Sequence, residues 1–118
     1  MKRMGILVLL FTINSSLAAE YRKDGAFIEM IDRTAERPKN PAYSNNIFVK
    51  LSTVPKWSGG DCMDDWVALQ KNDSIGFGIA LAALTSGNQV LVRVDDSLPK
   101  IGGTHCQVTT IAIKNQNL

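Results

Sequence analysis

Residues 74–87 read SIGFGIALAALTSG, and the rest of the chain is organised around this stretch. The side chain of Asp73 or Ser74 can accept a hydrogen bond from the first turn of a helix, and Gly87 suits the left-handed residue that closes one. The helical run is too short to span a bilayer, and the residues that follow it alternate like a strand. The sequence therefore predicts one α-helix over residues 74–87, with β-strands before and after it.

This predicted helix is apolar on two sides at about 100° per residue. A helix that is apolar all round is normally buried, and a small domain has difficulty covering both sides. We therefore expect the helix to contact a second copy of the chain; in the alternative interpretation, the N-terminal arm or the loop at residues 33–46 covers the second side. One side consists of Ile75, Ile79 and Ala82, the other of Phe77, Leu81 and Leu84, and the candidate interface residues are Ile75, Phe77, Ile79, Leu81 and Leu84.

The N-terminus has the pattern of a signal peptide. Lys2 and Arg3 precede the apolar run GILVLLFTI at residues 5–13, and the segment SLAA at residues 16–19 supplies small residues for cleavage. This order predicts a signal peptide over residues 1–19, cleaved after Ala18 or Ala19. A membrane anchor is the alternative, but the run is shorter than a span. The sequence thus predicts a periplasmic or secreted protein that is not attached to a membrane after cleavage.

The charge balance argues against a nucleic-acid partner. The formal net charge of +2 is carried by Lys2 and Arg3, so the predicted mature chain is near neutral. A basic patch of the kind that binds nucleic acid is therefore not expected. Residues 20–118 are enough for one small domain, which buries a marginal core and gains from a covalent staple or from partner subunits.

Cys62 and Cys106 are predicted to supply that staple. Two thiols in an exported chain indicate a disulfide, which would contribute about 4 kcal/mol for a loop of this length. A reactive thiol or half of a metal site would need a close partner, and neither cysteine has one in the sequence. His105 is the single histidine. The sequence holds no catalytic or metal-binding motif, so we predict no enzyme activity, no metal and no cofactor.

The order of predicted elements indicates a barrel. Residues 19–24 are expected to form a loose polar arm and residues 33–46 a loop, while Phe48 is an apolar exception on the outer side of its strand. The order strand-strand-strand-helix-strand-strand is that of an oligonucleotide/oligosaccharide-binding (OB) barrel, in which the third and fifth strands are parallel neighbours. Cys62 and Cys106 stand at the starts of those strands. The sequence therefore predicts a mainly β (α+β), five-stranded OB-like barrel with one disulfide and strands at residues 25–32, 47–54, 66–71, 89–95 and 105–114.

The middle and end of the chain resemble a group of small exported bacterial proteins. The shared layout is Cys62, a strand, the alanine-rich helix ending in Ser-Gly, a valine-rich strand and Cys106. In architecture it is similar to the B subunits of bacterial toxins of the subtilase cytotoxin type. That resemblance implies a disulfide-bonded OB fold, glycan binding, and a ring of five copies with the helices facing a central pore. It concerns layout, and no individual binding residue carries over.

Three loop residues are the candidates for ligand binding. Trp57 and Lys56 lie in a Gly-rich loop, and Tyr43 lies in the Pro/Asn-rich loop; an aromatic side chain on a loop often holds a sugar or a partner surface. For Trp57 the alternative is a plug at the end of the barrel, and Trp66 is interpreted as core. Asp61, Asp64 and Asp65 are interpreted as a solvated turn rather than a calcium loop.

Together these features predict an exported, non-catalytic binding module. Its predicted partners are a glycan or a protein surface and further copies of the same chain. The alternative is a periplasmic structural or interaction protein without a small-molecule ligand.

Overall fold

A computed structural model describes residues 20–115, and the predicted signal peptide at residues 1–19 lies outside the described residues. Within this range the chain forms one six-stranded sheet, one α-helix and one disulfide bridge, which confirms the predicted mainly β fold. A short 3-10 turn, Pro41–Tyr43, interrupts the loop before the third strand. The elements are β1 (Glu20–Ala26), β2 (Ile28–Thr34), β3 (Asn46–Leu51), β4 (Trp66–Ala68), α1 (Ser74–Ser86), β5 (Val90–Asp95) and β6 (Gln107–Ile113).

The sheet has the strand order β1-β5-β6-β4-β3-β2. All neighbouring strands are antiparallel except β4 and β6, which are parallel and meet at Ala68 and Gln107. Cys62 and Cys106 precede these two strands and form the predicted disulfide, with their Cα atoms 5.8 Å apart. The expectation that two parallel neighbours bring their cysteines together is therefore confirmed.

The strand count and the closure of the sheet differ from the predicted five-stranded barrel. The sheet has six strands, and β1 and β2 lie at its two edges. Only Phe27 separates β1 from β2 in the chain, so one extended segment with a break at a single residue supplies both edges. At the end of β1, Gly25 has a φ of 96°, and the register with β5 shifts between Asp24 and Ala26.

The prediction of a loose polar arm at residues 19–24 is wrong. From Glu20 onwards the chain belongs to β1, which pairs with β5. Lys23, in the middle of this strand, is fully buried, and its ammonium group donates hydrogen bonds to the backbone oxygens of Ser52 at 3.1 Å and Asp64 at 2.6 Å. Lysine is almost never fully buried without such partners. The polar composition of this segment favours a loop, but the segment is a strand whose Lys23 side chain points into the core.

The core lies between the sheet and α1 and consists mainly of β-branched side chains. Val90, Val92 and Val94 are fully buried and alternate with half-buried residues along β5, as expected for a strand with one face in the core. Other buried members come from every remaining strand and from the loop after β3. They include Ala26, Ile28, Val49, Leu51, Trp57, Val67, Leu69 and Val108.

The helix begins and ends where the sequence predicts. The Asp73 carboxylate accepts a hydrogen bond from the Gly76 backbone at 2.9 Å, and Gly87 closes the helix with a φ of 74°. Gly76 is required here, because a Cβ atom at this position would collide with the Asp73 carboxylate. Around Gly78, in contrast, a Cβ atom would meet nothing within 4 Å, so close packing of helices inside the chain does not explain that glycine.

The faces of α1 divide differently from the predicted pattern. Gly76, Ala80 and Ala83 are buried, which allows the helix to lie close to β2 and β6. Phe77 and Leu84 flank this small-residue stripe and pack against the core, whereas Leu81 is exposed. Of the three side chains predicted to share one side of the helix, Leu81 therefore does not pack against the core with the other two. The inward face is rotated because small side chains, rather than large ones, meet the sheet.

Candidate functional site

A surface pocket lined by aromatic rings lies on the face of β2, β3 and β4 that points away from the core. We call it the aromatic pocket; its volume is about 180 Å³. Two loops complete its walls, one at residues 35–45 and one at residues 96–106. The lining residues are Asp32, Thr34, Arg37, Tyr43, Phe48, Trp66 and His105.

The rings of this pocket form one connected cluster around His105. The imidazole centre lies 4.7 Å from the Phe48 ring centre, and the Tyr43 and Trp66 rings lie 6.1 Å and 6.5 Å away. Tyr43 and Trp66 both meet His105 nearly edge to face, at 88° and 75°. These distances are typical of aromatic pairs that attract one another beyond the area they bury. Phe48 is buried at the base, while the other three rings are half-buried.

The strand register brings Phe48 under the pocket. Its neighbours Ile47 and Val49 pack in the core, so alternation along β3 places Phe48 on the opposite face. Phe48 pairs with Asp32 on β2 and with Ala68 on β4. The apolar residue that stood out on the outer side of this strand in the sequence is thus covered by aromatic neighbours rather than left to solvent.

His105 is held by its place beside the disulfide. It follows the Gly102-Gly103 turn, forms an isolated bridge with Ile101, and directly precedes the buried Cys106. Its Nδ1 atom lies 2.8 Å from the Thr104 hydroxyl. The ring therefore sits on a short segment that the Ile101 bridge and the Cys62–Cys106 disulfide hold on either side.

Tyr43 connects the two loops that border the pocket. It ends the 3-10 turn Pro41–Tyr43, and its hydroxyl donates to the Gly102 backbone oxygen at 3.4 Å. A Cβ atom at Gly102 would collide with the Tyr43 ring, so a glycine is needed for this contact. The base of the loop is fixed by Asn46, whose amide donates to the Ser44 oxygen at 2.9 Å. The contact between Tyr43 and Gly102 thus links the two loops that form the walls of the pocket.

Three polar side chains on one side of the pocket are free to bind a ligand. Within residues 20–115 the side chains of Asp32, Thr34 and Arg37 form no hydrogen bond or ion pair. They offer a carboxylate, a hydroxyl and a planar guanidinium group, and the two charges balance. Next to apolar rings, such groups favour a neutral ligand with many hydroxyl groups over a strongly charged one.

Of the three ligand-binding candidates from the sequence, only Tyr43 lines this pocket. Trp57 is buried, with 9% of its surface exposed, and its indole nitrogen donates to the Met63 oxygen at 2.7 Å. Its burial in the core favours the alternative interpretation of this residue, a plug, over ligand binding. Lys56 has a side chain that is 68% exposed and forms an ion pair with Asp64 at 2.7 Å. Trp57 and Lys56 therefore stabilise the loop at residues 52–65 and do not line the aromatic pocket.

Sequence reasoning missed most of the pocket. Trp66 was expected in the core, but it is half-buried and faces His105. In the sequence His105 is a single histidine without metal-binding partners, and nothing there indicates a place in an aromatic cluster. The one usable signal was Phe48, since a large apolar residue on the outer side of a strand indicates that something covers it.

The acidic residues beside Cys62 act as partners of lysines. Asp64 pairs with Lys56, and Asp61 with Lys100 at 3.1 Å. The hydrogen bond from Lys56 lowers the pKa of the Asp64 carboxyl below its ordinary value of 3.8. Within residues 20–115 no group of three His, Cys, Asp or Glu side chains is arranged as metal ligands.

Two other cavities of the described chain are somewhat larger but lack the cluster of rings. One, of about 240 Å³, lies at the start of α1 and is lined mostly by polar residues between Arg33 and Phe77. The other, of about 260 Å³, lies between β1, β5 and Ser58. The aromatic pocket is the best candidate for ligand recognition because it combines stacking surfaces with unpaired polar groups.

Comparisons of the chain with known protein families, with curated proteins and with solved structures give no significant match. In the described part of the chain, no helix has the length and apolar character needed to cross a bilayer.

Proposed function

We propose that this protein is an exported, non-catalytic binding module that recognises a glycan in the aromatic pocket. The observation that carries the proposal is the ring cluster of Tyr43, Trp66 and His105 over Phe48, with free Asp32 and Arg37 at its side. A sugar ring offers C–H groups on its faces and hydroxyl groups around its edge. Aromatic rings and planar polar side chains are complementary to those two surfaces.

The arrangement of strands and loops supports an OB-like interpretation of the fold. If β1 and β2 are taken as two halves of one bent strand, the order becomes three strands, a helix and two strands. OB barrels bind oligosaccharides and oligonucleotides on the face of the second and third strands, between the first and last loops. The analogy is supported by the position of the aromatic pocket, which lies over β3 and β4 between the loops at residues 35–45 and 96–106.

A glycan is a better ligand for this pocket than a nucleic acid. The mature chain predicted from the signal peptide is near neutral, and the pocket holds one acidic and one basic side chain. Nucleic-acid sites on such barrels need a basic groove that follows the phosphates. The resemblance in layout to toxin B subunits also favours a glycan, as an analogy.

Export is the second part of the proposal. The N-terminal pattern of Lys2, Arg3, an apolar run and small residues supports it. The disulfide between Cys62 and Cys106 is consistent with an oxidising compartment. N-terminal sequencing of the protein from periplasm and medium tests it: a chain beginning near Ala19 or Glu20 supports export, and a membrane-bound chain that retains Met1 contradicts it.

Glycan binding is tested by an array of oligosaccharides probed with the purified exported protein, followed by affinity measurements on the best ligand. We expect Trp66→Ala and Arg37→Ala each to weaken binding at least about tenfold, as for buried contact residues of other interfaces. Phe27→Ala is the matched control, because Phe27 is a ring with 42% exposure that lies outside the pocket. An array without any bound glycan, or binding that survives Trp66→Ala, contradicts the proposal.

A second candidate function, assembly with further copies of the chain, is favoured by the outer face of α1. There Ile75 is 76% exposed and Leu81 is 44% exposed, beside Gly78 and Ala82. Of the five interface candidates, these two offer the most surface to a partner, since Phe77, Ile79 and Leu84 are half-buried. The described part of this helix carries no charged side chain, so these aliphatic side chains are not interrupted by charges that would oppose contact with a partner. A structural or interaction protein without a small ligand would show assembly but no glycan binding.

A further inference from the structure

Two arginines lie opposite each other at the edge of the sheet where β1 pairs with β5. Arg22 and Arg93 occupy directly opposite positions in this antiparallel pair. Side chains in such positions have Cβ atoms about 4.5–5.5 Å apart, and like charges at this spacing destabilise a sheet. The pair therefore carries an electrostatic cost that an apolar or oppositely charged residue would avoid.

Both guanidinium groups help to lower the pKa of the Asp24 carboxyl, but in the described part of the chain neither is bonded to a carboxylate. Within residues 20–115 neither forms an ion pair or a side-chain hydrogen bond. The diagonal carboxylates reduce the repulsion between the arginines, but each of them is bonded to another group. Glu20 accepts from Thr109 at 3.1 Å, Asp24 from Lys114 at 2.6 Å, and Asp95 from Ser97 at 2.6 Å.

The two arginines line one cavity with a hydroxyl group whose proton is free. The cavity has a volume of about 260 Å³ and is bordered by Glu20, Tyr21, Arg22, Ser58 and Arg93. Ser58 is anchored to β1 by two hydrogen bonds: its Oγ accepts from the Arg22 backbone at 3.0 Å, and its backbone donates to the Arg22 oxygen at 2.9 Å. Its hydroxyl proton has no acceptor in the described chain. The lining itself holds two guanidinium groups and the Glu20 carboxylate, while Asp24 and Asp95 stand at neighbouring positions on β1 and β5.

We propose that this cavity binds a phosphate or sulfate group between Arg22 and Arg93. The planar fork of arginine matches the oxygens of such an anion, and the Ser58 hydroxyl supplies a further donor. A bound oxyanion would also remove the repulsion between the two guanidinium groups. The proposal is independent of glycan binding, because the cavity lies on β1 and β5 and shares no residue with the aromatic pocket.

Equilibrium binding of inorganic sulfate and inorganic phosphate to the exported protein tests the proposal, with thermal unfolding as a second readout. We expect saturable binding to the wild-type protein, weakened about tenfold or more in Arg93→Gln and in Arg22→Gln, because each variant removes one fork. Arg33→Gln is the matched control, an exposed arginine on β2 that should bind like the wild type. In a chloride buffer Arg93→Gln should be about as stable as the wild type, because the lost repulsion from Arg22 is offset by the lost attraction to Asp24.

The comparison of variants decides the result, because sulfate stabilises folded proteins in general. Equal stabilisation of wild type and Arg93→Gln by sulfate, or no saturable binding of either anion to the wild type, overturns the proposal. If Arg93→Gln does not fold, Arg22→Gln takes its place in the comparison, because each variant removes one of the two forks. Glucose 6-phosphate and phosphatidylcholine vesicles with phosphatidylglycerol then distinguish a soluble ester from a lipid headgroup, and binding of neither would assign the site to the free inorganic anion.

Discussion

The ammonium group of Lys23 lies 5.2 Å from the centre of the Trp57 ring, and both side chains are buried. A cation over an indole face is attracted by the electrons of the ring, more strongly where water is excluded. Burial lowers the pKa of the Lys23 ammonium below its ordinary value of 10.5, and the nearby Asp64 opposes that shift. The contact joins β1 to the loop at residues 52–65. Together with the hydrogen bonds of each side chain, it compensates for removing Lys23 and Trp57 from water.

Replacing the buried lysine should strongly destabilise the protein. Lys23→Ala leaves the Ser52 and Asp64 oxygens without their donor and opens a cavity beside Trp57. We expect the free energy of unfolding to fall by about 3 kcal/mol. Urea unfolding measures it, with Lys39→Ala, in an exposed loop position, as a control that should change by less than about 0.5 kcal/mol. Equal effects of the two substitutions would mean that Lys23 adds nothing beyond an exposed lysine.

Gly102→Ala should disturb the aromatic pocket more than Gly103→Ala does. Both glycines have a positive φ, 65° and 79°, so both substitutions should cost about 1 kcal/mol or more in stability. Only at Gly102 would the new methyl group collide with the Tyr43 ring. We expect the NMR signals of His105 and Phe48 to shift in Gly102→Ala but not in Gly103→Ala. The same spectrum for both variants would show that the contact between the two loops does not hold the rings.

The pair of Lys56 and Asp64 should contribute stability that acid removes. The pKa of Asp64 is lowered in the folded protein, so its stabilising effect is present above the ordinary value of 3.8 and is lost as the pH falls through the folded pKa. Lys56→Gln should therefore be less stable than the wild type at pH 7, with the difference vanishing in stronger acid. Urea unfolding across this pH range measures it, beside Lys39→Gln. The effect is small because both groups are largely exposed, and a difference that stays constant with pH would rule out this linkage.

Loss of the disulfide should lower the stability of the protein without changing the pairing of its β-strands. Cys62 and Cys106 are 44 residues apart, so the bridge contributes about 4 kcal/mol on the chain-entropy estimate. We expect no free thiol in the denatured, unreduced protein, and a matching fall in urea stability after reduction or in a Cys62→Ala/Cys106→Ala double variant. Two labelled thiols in the protein isolated from the periplasm or medium would contradict the bridge.

Substitution on the outer face of α1 should separate assembly from folding. Leu81→Lys places a charge on an exposed position and should leave the fold intact, whereas Leu84→Lys places it against the core and should unfold the protein. Light scattering at about 50 μM is expected to show an oligomeric wild type and a monomeric, folded Leu81→Lys. A wild type that is strictly monomeric at this concentration would reject self-association through the helix.

Features that depend on neighbouring residues in the chain were predictable. The helix begins and ends as expected because Asp73 and Gly87 act on backbone groups within one turn. The strands rich in valine and isoleucine were found for a similar reason, since alternation is a local pattern. The disulfide followed from the cysteine count together with the parallel neighbours β4 and β6.

Tertiary structure alone decided the role of the polar strand β1 and the composition of the aromatic pocket. Lys23 is buried because its acceptors, 29 and 41 residues further along the chain, satisfy its ammonium group, and no local pattern announces such partners. The pocket collects rings from positions 43, 48, 66 and 105, each of which has a different explanation when read alone. Burial and ring contact depend on which distant segments meet, and that is set by the register of the whole sheet rather than by the residues on either side.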